Sequence, residues 1–225
     1  MSSPNPLIVA LDTSDLDAAE ELAQRLAGAV GMVKAGLELF TAAGPTSVRR
    51  LRAHRPVFLD LKLHDIPTTV SRAARNAGRL GAAMLSVHAL GGPEMVRAAV
   101  DGAGQGADEA GVDPPAVVGI TVLSSLAEAA GASPASLAFE AVEAGARGAV
   151  VAGDDVKVVR EALGDGPVLV VPGIRPGGHR SNDHARVLTP PEAMEAGADH
   201  LVIGRPITDS PDPAGAAEAI LRGLA

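Results

Sequence analysis

The sequence predicts a single α/β domain of the (β/α)8 barrel (TIM barrel) type, spanning residues 1–225. Three observations predict it. Eight short runs of Val, Ile, Leu and Ala alternate with eight segments of helical character, and no shift in composition marks a domain boundary. The runs are apolar at nearly every position, as strands covered on both faces of a parallel sheet must be. Aromatic residues are scarce, with three Phe and no Trp or Tyr, so the core must be layered from aliphatic side chains, as barrel interiors are. A doubly wound open sheet shares the alternation and is the structural alternative.

The elements follow in order. Leu7-Ile8-Val9-Ala10-Leu11 is the first strand, and Ser14 with Asp17 at capping-box spacing opens a helix to about Ala27. Met32 to Ala35 is the second strand, with Glu38 just beyond it and one helix running through Arg49 to His54. Val57 to Leu63, bounded by Pro56 and Pro67, is the third strand, and Pro67 opens the next helix at a position that tolerates proline. Ala83 to His88 is the fourth, followed by a helix from Gly91-Gly92-Pro93, while Asp101 to Pro115 reads as a helix end and a loop. Ala116 to Val122 is the fifth strand and Ser133-Pro134 begins its helix. Gly148 to Ala152 is the sixth strand, with a helix over Asp154 to Leu163. Val168 to Val171 is the seventh, stopping at Pro172-Gly173, and Thr189-Pro190-Pro191-Glu192 forms a capping box. His200 to Ile203 is the eighth, and Asp212-Pro213 opens a last helix ending near Leu224.

Composition narrows the function. A net charge of -8 and the lack of aromatic stacking platforms argue against nucleic-acid binding. Without cysteine there is no disulfide, thiolate metal site or cysteine nucleophile. Met1 to Pro6 shows no secretory signal, and no apolar run approaches the roughly 18 residues of a spanning helix, so the expectation is a soluble cytoplasmic protein. The chain uses 16 Arg but only three Lys: Lys34, Lys62 and Lys157. Where lysine persists against that bias, proton donation, which arginine cannot perform, is the property to look for. Lys157 sits at a helix start and reads as a solvated charge, whereas Lys34 and Lys62 lie at strand ends.

Barrel active sites are built at the C-terminal ends of the strands. Those ends carry Asp12, Lys34, the trio Asp60, Lys62 and Asp65, His88, Thr121 with Ser124, the loop Pro172-Gly173-Ile174-Arg175-Pro176-Gly177-Gly178, and Gly204-Arg205. Asp60 and Lys62 project from one strand face about 6–7 Å apart, the interior face of Phe58, where unpaired charge is costly. The bland reading is a structural ion pair; the sharper one is a catalytic acid held between Asp60 and Asp65. Anionic neighbours suit Lys62 to general-acid work, because a Schiff-base lysine needs desolvation or a cationic neighbour. Loops after strands seven and eight are the usual phosphate cradle of this fold. Gly177, Gly178 and Gly204 let backbone N–H groups approach an anion, and Arg175 and Arg205 offer planar forks to it.

The segment Asp60-Leu61-Lys62-Leu63-His64-Asp65-Ile66-Pro67-Thr68-Thr69 closely resembles the signature of the orotidine 5′-phosphate decarboxylase family. Leu7 to Asp12, Val33-Lys34-Ala35-Gly36, Pro172-Gly173-Ile174-Arg175-Pro176 and Val202 to Thr208 resemble it too, in order and across nearly the whole chain. The resemblance implies a cofactor-free and metal-free decarboxylation of orotidine 5′-monophosphate to uridine 5′-monophosphate, the last step of de novo pyrimidine synthesis. It implies that Lys62 protonates the ring carbanion, that Asp60 lies beside the departing carboxylate, and that Lys34 completes the charge network and touches the ribose. It also implies that Asp12 binds ribose hydroxyls, Ser124 the pyrimidine, and Arg175 and Arg205 the phosphate. Asp65 and Thr69 would reach the neighbouring subunit's site in a homodimer. One departure stands out: many members carry Gln in the phosphate loop where this chain has Gly177.

Two alternatives remain at this point. A related sugar-phosphate lyase would use Mg²⁺, with Glu38 as the nearby candidate ligand, and a non-catalytic barrel would bind a nucleotide without turnover. Of the histidines, His54, His179, His184 and His200 read as surface or loop residues, His64 as structural, and His88 as either a site-orienting or a core residue.

Overall fold

The computed structural model describes residues 5–121, 133–177 and 188–224. Eight parallel strands close into a ring in sequence order: β1 (Leu7–Ala10), β2 (Met32–Ala35), β3 (Val57–Leu63), β4 (Met84–His88), β5 (Ala116–Ile120), β6 (Gly148–Val150), β7 (Val168–Pro172) and β8 (His200–Ile203). The last strand pairs with the first, Ile8 lying opposite Val202. The fold class is therefore the (β/α)8 barrel, and the open-sheet alternative falls.

Two cores result from the alternation of side chains along each strand. Ile8, Ala10, Phe58, Met84, Val118, Ile120, Val150, Val170 and Val202 fill the barrel. Their neighbours in sequence, such as Val9, Leu59, Leu85, Leu169 and Leu201, point outward and pack beneath the helices. Phe58 is the single aromatic ring inside, so the interior is aliphatic as the composition requires. The inward positions one step further along the strands are Asp12, Asp60, Ser86 and His88, where the apolar layers give way to polar groups.

The helices are α1 (Leu16–Arg25), α2 (Leu37–Ala43), α3 (Pro45–Leu51), α4 (Pro67–Arg79), α5 (Gly92–Ala110), α6 (Pro134–Glu143), α7 (Val156–Leu163), α8 (Pro190–Glu195), α9 (Arg205–Thr208) and α10 (Pro213–Arg222), with short 3-10 turns at Ala89–Gly91 and Gly153–Asp155. Two expectations change and a third is sharpened. Helix α1 is capped by Asp15, whose carboxylate accepts the N–H groups of Asp17 and Ala18, rather than by Ser14. The helix expected after β2 is broken into α2 and α3 at Gly44, which takes φ 56° and hands over to Pro45. The stretch from Asp101 is a helix end and a loop as expected, with the division late: α5 continues through Ala110 and stops at the left-handed cap Gly111. Its glycines are packing positions. A Cβ at Gly102 would sit 2.3 Å from the carbonyl oxygen of Ser71, one at Gly106 1.9 Å from that of Arg75, and one at Gly78 2.2 Å from that of Ala103, so α4 and α5 meet backbone to backbone. The capping box at Thr189 forms as expected, with Glu192 bonding back to the Thr189 N–H at 2.8 Å.

His200 is also corrected. It opens β8, as expected, but is half-buried rather than a surface residue, with its Nδ1 buried and unpartnered, and burial pushes its pKa down against the opposing pull of Asp199 and the Pro6 carbonyl. Among the described residues no helix is long and apolar enough to cross a membrane.

Candidate active site

Strand β3 carries the chemistry because its upper half leaves the regular ladder. Leu59 pairs with Leu85, but the next partners are Leu63 and Val87, so four steps on β3 face two on β4. The slack is taken up around Lys62, which adopts φ 50°, the single non-glycine residue with positive φ among those described. A left-handed lysine is strained, and such strain collects at functional sites. Lys62 Nζ donates to Asp60 Oδ2 at 2.7 Å.

Asp60 is the hub of this cluster. It is 7% exposed, and its Oδ2 also lies 3.8 Å from Lys34 Nζ, which in turn donates to Asp12 Oδ1 at 2.9 Å. Carboxylates and ammonium groups therefore alternate from Asp12 through Lys34 and Asp60 to Lys62. Each internal charge has an opposite neighbour, which is what makes their burial tolerable. Asp60 Oδ1 accepts a hydrogen bond from Ser86 Oγ at 2.7 Å, and Ser86 Oγ accepts one from the Lys62 backbone N–H at 2.9 Å. Ser86 is fully buried on β4 and was not among the residues expected from sequence. Its one signal is a polar residue between apolar neighbours, which core filler would give equally. Gly36 makes room for the pair beside it: a Cβ there would stand 3.0 Å from Lys34 Nζ and 3.4 Å from Asp12 Oδ1.

A cavity of about 330 Å³ opens over the cluster, lined by Asp12, Lys34, Asp60 and Lys62 on one side and by Pro172, Gly173, Arg175, Gly204 and Arg205 on the other, with Phe58, Ile120 and Val202 as its floor. Arginines from the β7 and β8 loops thus face the Asp–Lys chain across one cavity, and Asp12, Gly204 and Arg205 continue into an adjoining cleft against α1. The β7 strand ends at Pro172 and turns through Gly173 at φ 75°.

The remaining expected residues separate. Asp65 does not flank Lys62 in its own chain: it is exposed, and its carboxylate accepts the Ile66 N–H at 2.7 Å. The two carboxylates that bracket an ammonium are Asp12 and Asp60, around Lys34. Thr69 is exposed in the first turn of α4, beside Ile66, which is 65% exposed. Gly177, at φ 86°, lines a neighbouring apolar cleft with Pro176, Pro190 and Pro206 rather than the cavity. Ser124 and Gly178 lie outside the described residues, as do His179 and His184. Glu38 is exposed in the first turn of α2, and Lys157 is exposed on α7. Thr121, at the end of β5, is buried and donates to the Val150 carbonyl. His88 is buried beside the cluster and stacks on His64 with centroids 5.1 Å apart; burial, then the charges of His64 and Lys62, push its pKa down. His54 pairs with Glu20 at 3.2 Å on the α1–α3 surface.

Known proteins match this arrangement over the full chain. Residues 5–220 match the model of the orotidine 5′-phosphate decarboxylase / HUMPS family. A protein of Anaeromyxobacter dehalogenans named orotidine 5′-phosphate decarboxylase is 52% identical, with all of both chains covered. One of the same name from Paramagnetospirillum magneticum is 48% identical over 96% of this chain and 97% of its own. Among solved structures, the orotidine 5′-phosphate decarboxylase of Lactobacillus acidophilus superposes with a TM-score of 0.85 at 36% identity, covering 98% of this chain and 99% of that one. With the barrel, the Asp–Lys cluster and these relatives in agreement, the chain belongs to the orotidine 5′-phosphate decarboxylase / HUMPS family.

Proposed function

We propose that this protein decarboxylates orotidine 5′-monophosphate to uridine 5′-monophosphate and CO₂ without a cofactor or metal, closing de novo UMP synthesis. The observation that carries the reading is the alternating chain Asp12, Lys34, Asp60, Lys62, which ends with an ammonium 2.7 Å from a buried carboxylate inside a cavity faced by two arginines. The bond between the pyrimidine carbon and its carboxylate breaks, the electron pair stays on the ring carbon, and CO₂ leaves. Lys62 then gives that carbon a proton and regains one from solvent. An ammonium aimed where negative charge develops is the stabilisation such a step needs. Asp60 stands beside the departing carboxylate and holds Lys62 in line, and Lys34 and Asp12 meet the ribose. Arg175 and Arg205 take the phosphate, with Gly204 allowing its close approach.

The active form is a homodimer, with Asp65 and Thr69 reaching the partner's site; the exposure of Asp65, Ile66 and Thr69 on one rim supports this. The whole chain acts as one domain, in the cytoplasm. An ultraviolet assay of orotidine 5′-monophosphate consumption, run with and without EDTA, tests the reading, and the lack of Trp and Tyr keeps the protein background low. Conversion that EDTA leaves unchanged is the expected result. No conversion, with a phosphorylated ketose turned over only in Mg²⁺, would move the chain to the lyases of the same superfamily.

A further inference from the structure

We propose that Ser86 is the positioning residue that holds both the Asp60 carboxylate and the strained Lys62 backbone in their reactive arrangement, an inference that rests on the decarboxylase reading. The reason lies in the ladder. Between the Leu59–Leu85 and Leu63–Val87 pairs, the β3 backbone has no regular partner on β4, so the Lys62 N–H has no strand carbonyl to donate to. A buried N–H without an acceptor is costly, and Ser86 Oγ supplies the acceptor at 2.9 Å. A hydroxyl has one proton to give, and this one goes to Asp60 Oδ1 at 2.7 Å, leaving Asp60 Oδ2 to face Lys62 Nζ and Lys34 Nζ. One side chain thus fixes the φ of 50° at Lys62 and the rotation of the Asp60 carboxylate together. Ser86 is fully buried and outside the cavity lining, so it acts through these two residues and not on the substrate.

The test compares Ser86→Thr with Ser86→Val, which share a shape and differ by the hydroxyl, beside Ser86→Ala. Two readouts are used: kcat and KM for orotidine 5′-monophosphate, and hydrogen exchange of the Lys62 amide in the free protein. Ser86→Ala and Ser86→Val are expected to lose on the order of 100-fold in kcat, with KM changed far less, because displaced catalytic groups lose rate before binding. Both should also lose protection at the Lys62 amide, and Ser86→Thr should restore both. Folding is checked by thermal melting, and if Ser86→Ala does not fold, the Thr and Val pair decides. The proposal is overturned if Val matches Thr in kcat, if Ala keeps the parent kcat, or if the Lys62 amide stays equally protected in all variants. The amide readout needs no turnover, so a parent protein inactive on orotidine 5′-monophosphate would overturn the functional reading while Ser86 was still judged on its hydrogen bond.

Discussion

Gly36 shows how little space separates the charged groups of the site. Its φ of -90° suits any residue, so what an added methyl meets is Lys34 Nζ at 3.0 Å and Asp12 Oδ1 at 3.4 Å. Gly36→Ala is expected to leave the melting temperature nearly unchanged and to lower kcat/KM by about 10-fold through displacement of the Lys34 ammonium; steady-state kinetics with thermal melting check both. At this scale the sequence was a good guide to residues that carry charge. Asp12, Lys34, Asp60, Lys62, Arg175 and Arg205 all line one cavity, because a charge at a strand end has few other uses. Ser86 was illegible, since a serine between Leu85 and Val87 reads as core filler until its two hydrogen bonds are seen. The kink at Lys62 was illegible too, because alternating Leu61-Lys62-Leu63 is what a regular strand looks like. Within its own chain Asp65 is exposed rather than beside Lys62, because spacing along the chain does not show where a strand stops being extended.

Among the elements, α4 and α5 pack most closely. Glycine in a helix interior usually weakens it, yet here Gly102, Gly106 and Gly78 let two backbones touch. Gly106→Ala should cost about 1–3 kcal/mol by overpacking, lowering the melting temperature by several degrees. Gly104→Ala, on the same helix with nothing within 4 Å of its added methyl, should instead gain up to about 1 kcal/mol. Calorimetry on the two variants separates packing from propensity. The same glycines explain why the sequence showed a helix end and a loop over 101–115 without showing that the helix runs to Ala110: composition alone does not tell a helix contact from a helix end. Strands β2, β3 and β8 matched their expected limits, since their apolar runs end sharply at Gly or Pro or at a polar turn. Gly44 was overlooked, and with it the division between α2 and α3.

For the whole molecule, ring closure was inferable from eight repeats, whereas the proposed homodimer rests on the exposure of Asp65 and Thr69. Asp65→Ala should lose most activity, and mixing it with Lys62→Ala should restore part of it, because a hybrid dimer then holds one complete site; no recovery in mixed samples would argue against shared sites. Stability should also vary with pH. Burial holds the pKa values of His88 and His200 below the usual histidine value of about 6.5. Above that value both states are neutral and nothing changes. Below it the unfolded chain takes up protons that the folded one refuses, so stability falls as pH drops through 6.5 towards the folded values. Thermal melts between about pH 7.5 and 5.5 should show the fall, and His200→Leu should make it shallower.

The left-handed backbone at Lys62 means that the reaction and the fold are in competition at one residue. Lys62→Ala and Lys62→Gly should be equally inactive, yet glycine takes φ 50° without strain where alanine does not. The glycine variant should therefore be more stable than the alanine one by on the order of 1 kcal/mol, despite glycine's greater freedom when unfolded. That difference, read from chemical denaturation, measures what the chain gives up to aim its lysine. Holding a lysine at φ 50° thus sets folding stability against the placement of an ammonium that only turnover requires.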